Sequence, residues 1–193
     1  MEKWKLILIL GTSGAGKWTL RKNLEKANLE DLEFIKSYVT RDMRDWEINW
    51  DIYNFISKKE FEKMIKNNEF LEYEFVHKKA YYGTRLKDAV EFWIDMWKKV
   101  MKEIDMEWLK NIFFNNPQLK ENITTIFLNL SQEKFSERIE SRWVFMSEED
   151  FKNREESLVR EISDAKIYCD YIIDTSEKTP EEVLEEVLEI IKK

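Results

Sequence analysis

The sequence predicts an α/β fold in which helices cover both faces of a parallel β-sheet. Short apolar runs typical of strands alternate along the chain with segments whose apolar residues have helical spacing. Helix starts carry a Ser or Thr followed three residues later by an acidic residue, at Ser57, Ser147 and Thr179. Because helical segments separate the strands, crossover connections and parallel pairing are expected. The predicted strands are residues 5–10, 34–38, 100–104, 125–130 and 171–173.

Composition restricts the class of protein. The net charge of −7 over 193 residues argues against a general nucleic-acid binder, which needs a basic face. The longest apolar run near the start, residues 6–10, is far shorter than the roughly 20 apolar residues of a membrane helix. A single cysteine, Cys169, forms no internal disulfide, and the opening residues lack the pattern of a secretory signal. We therefore expect a cytoplasmic protein without a membrane or nucleic-acid partner.

A glycine-containing loop follows the first predicted strand. Residues 11–17, Gly-Thr-Ser-Gly-Ala-Gly-Lys, match the first seven positions of the pattern G-x-x-x-x-G-K-[ST]. Backbone N–H groups of such a loop cradle phosphate oxygens, and its lysine reaches the β- and γ-phosphates of ATP. The sequence therefore predicts a P-loop NTPase-type core, although a plain glycine turn with a solvent-facing lysine is the alternative. The predicted ATP-binding residues are Gly11, Thr12, Ser13, Gly14, Ala15, Gly16, Lys17, Trp18 and Thr19.

The eighth position of this pattern departs from expectation. Trp18 stands where a Ser or Thr hydroxyl would meet Mg²⁺, and Thr19 is the nearest substitute. We therefore expect Thr19 to be the hydroxyl ligand of a magnesium ion that enters with ATP.

A longer motif indicates a more specific function than the phosphate-binding loop alone. Residues 37–55 read S-Y-V-T-R-D-M-R-D-W-E-I-N-W-D-I-Y-N-F. They resemble the signature S-x-T-T-R-x-x-R-x-G-E-x-x-G-x-x-Y-x-F of the guanylate kinase family, and the likeness extends over essentially the whole chain. The resemblance implies transfer of the γ-phosphoryl group of ATP to GMP, and to dGMP, in purine nucleotide metabolism. It also implies Mg²⁺ as the cofactor and ATP and GMP as the binding partners.

The same resemblance assigns the acceptor site. It gives the GMP phosphate to Ser37, Arg41, Arg44 and Tyr53, and to Tyr82 of the Y-Y-G-[ST] motif at residues 81–84. It gives guanine recognition to Glu72, with Thr84 and Asp105, and it leaves Glu103 to orient Mg²⁺ through water. A surface ion-pair cluster and plain strand-face packing are the alternatives. The implied GMP-binding residues are Ser37, Arg41, Arg44, Glu47, Tyr53, Glu72, Tyr82, Thr84 and Asp105.

Three further arginines, Arg138, Arg142 and Arg154, resemble the family's lid arginines, although a solvated charged helix face is the alternative. With Lys17 and Arg41 they are the expected catalytic residues, because phosphoryl transfer needs cations around the moving group. The implied arrangement is one domain, monomeric or homodimeric. Its segments are a core of residues 1–36, 85–130 and 158–193, a GMP-binding insertion of residues 37–84 and a helical lid of residues 131–157.

Two other functions fit part of the pattern. A catalytically inactive guanylate-kinase-like module would keep the fold and bind protein partners, and a related P-loop kinase would phosphorylate a different phosphorylated acceptor. Lys17, Arg41 and Glu72 are all present, which argues against the inactive module.

Glycine and tryptophan have unusual counts, 4 and 8 respectively. Most of the tryptophans fall where the resembled family has glycine, often at turns where φ is positive or the backbone approaches closely. We hypothesise that they are UGA codons that the source organism reads as glycine. An aromatic-rich core is the alternative. The positions are Trp4, Trp18, Trp46, Trp50, Trp93, Trp97, Trp108 and Trp143.

Overall fold

The structure, a computed structural model, describes residues 5–45, 47–49, 51, 53–76, 78–89, 99–140 and 148–192. Its strands are β1 Leu6–Gly11, β2 Leu32–Phe34, β3 Ser37–Val39, β4 Tyr53–Phe55, β5 Phe70–Val76, β6 Ala80–Arg85, β7 Lys99–Glu103, β8 Ile123–Asn129 and β9 Tyr171–Asp174. Its helices are α1 Lys17–Ala27, α2 Lys58–Lys66, α3 Met106–Asn115, α4 Gln132–Glu140, α5 Glu148–Tyr168 and α6 Pro180–Ile191, with a 3₁₀ helix at Pro117–Asn122.

The chain divides into two compact units. The first contains the residues up to Leu6, residues 31–102 and residues 110–122, and the second contains residues 7–30, 103–109 and those from 123 onward. Each unit combines parallel strand pairing with helices, so the predicted α/β class is confirmed.

The first unit contains a parallel strand pair and a mixed sheet. Strands β2 and β7 pair in parallel, with Leu32 opposite Lys99. A separate four-stranded sheet has the order β4-β3-β6-β5, in which β3 pairs in parallel with β4 and antiparallel with β6. The predicted single strand at residues 34–38 is therefore wrong. Its two halves have different partners, so the strand is interrupted after Phe34 and resumes at Ser37 in the other sheet.

An aromatic cluster holds the four-stranded sheet against α2. Phe61 of α2 is fully buried and stacks on Phe70 and Tyr81, with ring centroids 4.3 and 5.1 Å away. Helix α2 begins at the predicted cap, because the Ser57 hydroxyl accepts a hydrogen bond from the Glu60 amide and the Glu60 carboxylate accepts one from the Ser57 amide. Apolar burial in the core of this unit therefore leaves the opposite sheet face available for polar side chains.

The second unit is built on β1, β8 and β9, which are neighbours in that order, with β8 and β9 parallel. Every residue from Leu6 to Leu10 is at most 2% exposed, as expected for a strand covered on both faces. Helix α6 begins at the predicted Thr179 cap with Pro180 in its first turn, buries Val183 and packs against α1.

The remaining predicted strands are confirmed with shifts of at most two residues, at β1, β7, β8 and β9. The predicted cap at Ser147 lies outside the described residues. None of the helices that the structure describes is both long enough and apolar enough to cross a bilayer.

Candidate active site

The loop between β1 and α1 has the backbone of a phosphate-binding loop. Gly14 and Gly16 have φ angles of 84° and 93°, in the left-handed region that residues with a Cβ rarely adopt. Gly16 precedes α1, and no side chain caps the N–H groups of the first helical turn. The Lys17 ammonium donates to the carbonyl oxygens of Gly11 and Thr12, the latter at 3.2 Å. The loop therefore presents backbone N–H groups and an ammonium, the donors that phosphate oxygens accept.

A cavity of about 220 Å³ adjoins this loop. Thr175 and Lys178, which line it, follow the end of β9, and the sequence analysis missed them. Ligands of α/β proteins bind at the carboxyl ends of parallel strands, so the position of these two residues after a predicted strand was a usable signal. The lining residues are Gly14, Ala15, Gly16, Thr19, Leu20, Arg138, Thr175, Lys178, Pro180 and Val183.

Two of the predicted lid arginines reach the phosphate loop from different helices. Arg138 of α4 donates to the carbonyl oxygens of Gly14 at 3.1 Å and Thr175 at 2.9 Å. Arg154 of α5 donates to the Ser13 hydroxyl at 3.3 Å. Together with Lys17, two guanidinium groups thus contribute positive charge around the loop. Arg138 is half-buried and Arg154 is exposed. The Arg138 guanidinium is therefore held by two backbone carbonyl groups, whereas Arg154 has the longer contact with a side chain.

Acidic side chains accompany these cations in the second unit. Asp105, predicted to approach the guanine, accepts a hydrogen bond from the Trp108 amide at 2.9 Å and so caps α3. Glu161 of α5, which the sequence analysis did not single out, accepts a hydrogen bond from Ser157 at 2.9 Å. Burial raises the pKa of Glu161; the charge of Lys17 opposes this rise and that of Asp105 adds to it. Glu161 therefore belongs to the electrostatic environment of the phosphate loop.

The predicted magnesium ligands are oxygen donors of the kind that Mg²⁺ prefers. Thr19 lines the cavity beside the phosphate loop, and Glu103 is half-buried at the end of β7. No group of three or more His, Cys, Asp and Glu side chains suited to a metal occurs in the part of the chain that the structure describes. This donor set fits an ion that shares one or two protein ligands and takes the rest from phosphates and water.

In the first unit, the hairpin of β5 and β6 has aromatic side chains packed on one face and polar side chains on the other. Tyr81 and Gly83 alternate along β6 with Tyr82 and Thr84, and successive strand residues point to opposite faces. The Tyr81 ring packs on Phe61, and a Cβ at Gly83 would lie only 2.9 Å from the Phe61 ring. Glycine at position 83 therefore lets the aromatic cluster close while Tyr82 and Thr84 face the other way.

The predicted guanine-binding pair is assembled on that second face. Glu72 of β5 lies opposite Thr84 in the strand register, and the Thr84 hydroxyl donates to the Glu72 Oε1 atom. Both side chains are buried, with exposures of 6% and 1%. A carboxylate held in this way offers acceptor oxygens to a ligand that carries adjacent N–H donors.

Arg41 is the centre of the predicted phosphate-binding cluster. Its Nε atom donates to the Tyr82 hydroxyl at 3.1 Å, and its guanidinium lies 5.3 Å from the centre of the Tyr53 ring. Ser37 is opposite Tyr53 in the register of β3 and β4. Four residues implied by the resemblance are therefore brought together, whereas the Arg44 side chain is exposed.

Glu47 holds Arg41 in this position. The two Glu47 oxygens accept hydrogen bonds from Arg41 Nη1 and Nη2, both at 2.6 Å, and Oε2 also accepts one from the Arg44 amide at 2.9 Å. The Arg41 hydrogen bonds lower the pKa of Glu47 to about 2, and Glu47 in turn raises the pKa of Arg41. In this structure Glu47 neutralises the guanidinium that the resemblance gives to the GMP phosphate.

Of the eight tryptophans, Trp18 and Trp108 are described. Both lie within helices, and neither is among the described residues other than glycine with positive φ, which are Asn28, Asn68 and Lys78. Positive φ therefore gives no reason for glycine at positions 18 and 108. The Trp18 ring is 51% exposed, with the Lys22 ammonium 4.7 Å from its centre. The positions outside the described residues are Trp4, Trp46, Trp50, Trp93, Trp97 and Trp143, and the predicted lid residue Arg142 also lies outside them.

The Arg41–Glu47 pair predicts a pH dependence of stability. Because the pKa of Glu47 is lowered from 4.5 to about 2, the contribution of the pair is fully present above pH 4.5 and is lost as pH falls toward 2. We expect Glu47→Gln to lower the free energy of unfolding at pH 7, with a difference from the unsubstituted protein that shrinks below pH 4.5. Urea unfolding between pH 7 and pH 3 measures this difference. Glu62→Gln, at an exposed carboxylate, should have little effect, and a loss at Glu47 that does not vary with pH would contradict the assignment.

The two arginines at the phosphate loop should differ in their structural roles. Arg138→Met removes two hydrogen bonds from a half-buried charged group and should lower the free energy of unfolding by about 1–3 kcal/mol. Arg154→Met removes one long hydrogen bond from an exposed side chain and should change it by less than about 0.5 kcal/mol. Thermal or urea unfolding of both variants tests the distinction. Equal losses in the two would show that Arg138 is not a structural link between α4 and the loop.

Comparisons with known proteins identify the family. Residues 3–193 match the family model described as guanylate kinase. The chain is 40% identical to a guanylate kinase of Clostridium tetani, over 84% of this chain and 74% of the relative. It is 33% identical to one of Mycoplasmopsis pulmonis, over 100% and 96%. The crystal structure of guanylate kinase from Anaplasma phagocytophilum has the same fold, with a TM-score of 0.69, 21% identity and coverage of 100% of this chain and 86% of that one. The chain belongs to the guanylate kinase family.

Proposed function

We propose that this protein is an ATP:GMP phosphotransferase, which transfers the γ-phosphoryl group of ATP to GMP and releases ADP and GDP. The observation that carries the proposal is the pairing of Glu72 with Thr84 on the sheet face that also bears Tyr82, the partner of Arg41. This face combines acceptors for a purine with donors for a phosphate. Family membership supplies the reaction, and these contacts support the choice of acceptor.

Recognition of the acceptor follows from hydrogen-bond chemistry. Guanine carries an N1–H and an exocyclic amine side by side, and the Glu72 carboxylate can accept from both. Adenine has no N1–H, so its binding would leave a buried carboxylate oxygen facing an acceptor nitrogen, which is costly. The Thr84 hydroxyl, which donates to Glu72 in this structure, keeps the carboxylate oriented toward the base.

The donor site is proposed at the phosphate loop. Lys17 would exchange the carbonyl oxygens of Gly11 and Thr12 for the β- and γ-phosphates of ATP, while the loop amides bind the phosphates. Arg154 would neutralise charge that develops on the transferring group. Arg138 would support the cavity beside the loop, where the rest of the nucleotide fits. Thr19 and Glu103 are the residues that would hold Mg²⁺, which would supply further positive charge to the nucleotide phosphates.

The proposed segments keep the boundaries expected from the sequence. Residues 37–84 would form the GMP-binding insertion, supported by the four-stranded sheet that β3 to β6 build. Residues 131–157 would form the lid, supported by the contacts of Arg138 and Arg154 with the phosphate loop. We further propose a cytoplasmic enzyme, monomeric or homodimeric, with dGMP as a second acceptor and without a nucleic-acid partner. The net charge of −7 supports the last point.

Substitution of Glu72 tests the acceptor assignment. Glu72→Gln should lower kcat/KM for GMP by about 10- to 100-fold, because the amide replaces one acceptor oxygen with donors. A coupled assay of ADP release with GMP, AMP, CMP and UMP measures the preference. Thr84→Ser is the matched control, because it keeps the hydroxyl and should keep the preference. An unchanged preference for GMP in Glu72→Gln would favour a different phosphorylated acceptor, and no ADP with any acceptor would favour an inactive interaction module.

We also propose that the eight tryptophan positions are glycine in the natural protein, encoded by UGA. Replacing all eight would bring the glycine count from 4 to twelve, about 6% and close to the average for proteins. At position 18 the proposal is supported by the size of the tryptophan ring, which stands next to Lys17, where phosphates would approach. The φ angle of Trp18 does not support it. UGG codons at these positions in the gene would overturn this proposal.

Glycine at the tryptophan positions should raise activity, whereas at position 18 it should lower stability. Trp18→Gly places glycine in a helix and should lower the free energy of unfolding by up to about 1 kcal/mol. Turnover of ATP and GMP should nevertheless rise by about tenfold or more when all eight positions carry glycine, because binding loops regain space. Steady-state kinetics and urea unfolding of the tryptophan form, Trp18→Gly and the eightfold variant test this. Equal rates in the tryptophan and glycine forms would contradict the expectation.

A further inference from the structure

Strand β7 carries a buried lysine that no predicted role explains. Lys102 is 5% exposed, although its neighbours Val100 and Met101 are the apolar residues usual for a covered strand. Burial of an ammonium group costs free energy that an apolar side chain at the same place would not cost. Its Nζ atom donates to the Ser37 hydroxyl at 2.5 Å, within the first unit. The lysine is therefore in direct contact with Ser37.

This contact places Lys102 next to the predicted phosphate-binding cluster. Ser37 lies opposite Tyr53 in the register of β3 and β4, and the Tyr53 ring lies 5.3 Å from the Arg41 guanidinium. Ser37 itself is 7% exposed. Lys102 of β7 thus places a positive charge next to the Ser37 hydroxyl.

The chemistry of the two groups determines which one donates the hydrogen bond between Lys102 and Ser37. An ammonium group has three donors and no acceptor, whereas a hydroxyl has one donor and two acceptor lone pairs. In the contact between Lys102 and Ser37 the hydroxyl oxygen is therefore the acceptor. The Ser37 proton is left to donate elsewhere, and an adjacent positive charge strengthens that donation. A phosphate oxygen, which only accepts, is a suitable partner.

We propose that Lys102 is a positioning residue for the acceptor nucleotide, which orients the Ser37 hydroxyl as a donor toward the phosphate of GMP. The proposal rests on the proposed function, because it takes GMP as the ligand of Ser37. Lys102 therefore acts on the proposed phosphate site through Ser37, separately from the pair of Arg41 and Glu47. The role is specific to the phosphate and does not involve the base or ATP.

Lys102→Met tests the proposal, because methionine has similar length and no charge. The measurements use the tryptophan or the glycine form of the protein, whichever turns over GMP faster. We expect the dissociation constant and KM for GMP to rise about tenfold, as for loss of a charge-assisted hydrogen bond, with kcat and KM for ATP nearly unchanged. Isothermal titration calorimetry and steady-state kinetics give these values. Lys99→Met, on the same strand beside Asp31, is the matched control and should leave GMP binding unchanged.

A double-mutant cycle separates this role from a merely structural one. If Lys102 acts through Ser37, Lys102→Met should weaken GMP binding much less in a Ser37→Ala background than in the unsubstituted protein. GMP affinity within twofold of the unsubstituted protein, or full additivity with Ser37→Ala, would overturn the inference while leaving the proposed function intact. Absence of GMP binding by the unsubstituted protein would overturn both.

Discussion

An acidic chain that binds two phosphate-bearing nucleotides must concentrate its positive charge locally. With a net charge of −7, this protein has no general excess of cations to attract them. In the second unit, Lys17, Arg138 and Arg154 meet at one glycine-containing loop. In the first unit, Arg41 and Lys102 contact side chains of the predicted phosphate-binding cluster. Each group draws its cations from different helices, strands or loops, so these cations come together only in the folded chain.

Each cation is also held before any ligand arrives. Lys17 and Arg138 donate to backbone carbonyl oxygens, and Arg41 is held by both oxygens of Glu47. Such contacts reduce the side-chain entropy lost on binding, since the groups are already close to where they are needed. They also compete with the ligand. In the proposed complex, a phosphate bound to Arg41 would have to compensate for weaker contact with Glu47, which would make the proposed site selective for a strongly charged group.

Much of the fold could be predicted because its signals are local. The caps at Ser57 and Thr179 and the strand β1 depend on neighbouring residues only, and the P-loop and the signature at residues 37–55 are selective patterns. The break in the strand predicted at residues 34–38 depends on which strands pair, which the local pattern does not contain. The same holds for Lys102. Its position after Val100 and Met101 in the buried strand β7 suggests another apolar core residue, and its contact with Ser37 becomes visible in the structure.

All the proposed site roles depend on transfer of the γ-phosphoryl group of ATP to GMP by this protein. The most direct test is ³¹P NMR spectroscopy of ATP, GMP and Mg²⁺ incubated with the protein, in its tryptophan form and in the form with glycine at the eight positions. The account predicts that resonances of ADP and GDP grow together in equal amounts, without inorganic phosphate. Inorganic phosphate without GDP, or no change with either form, would contradict it.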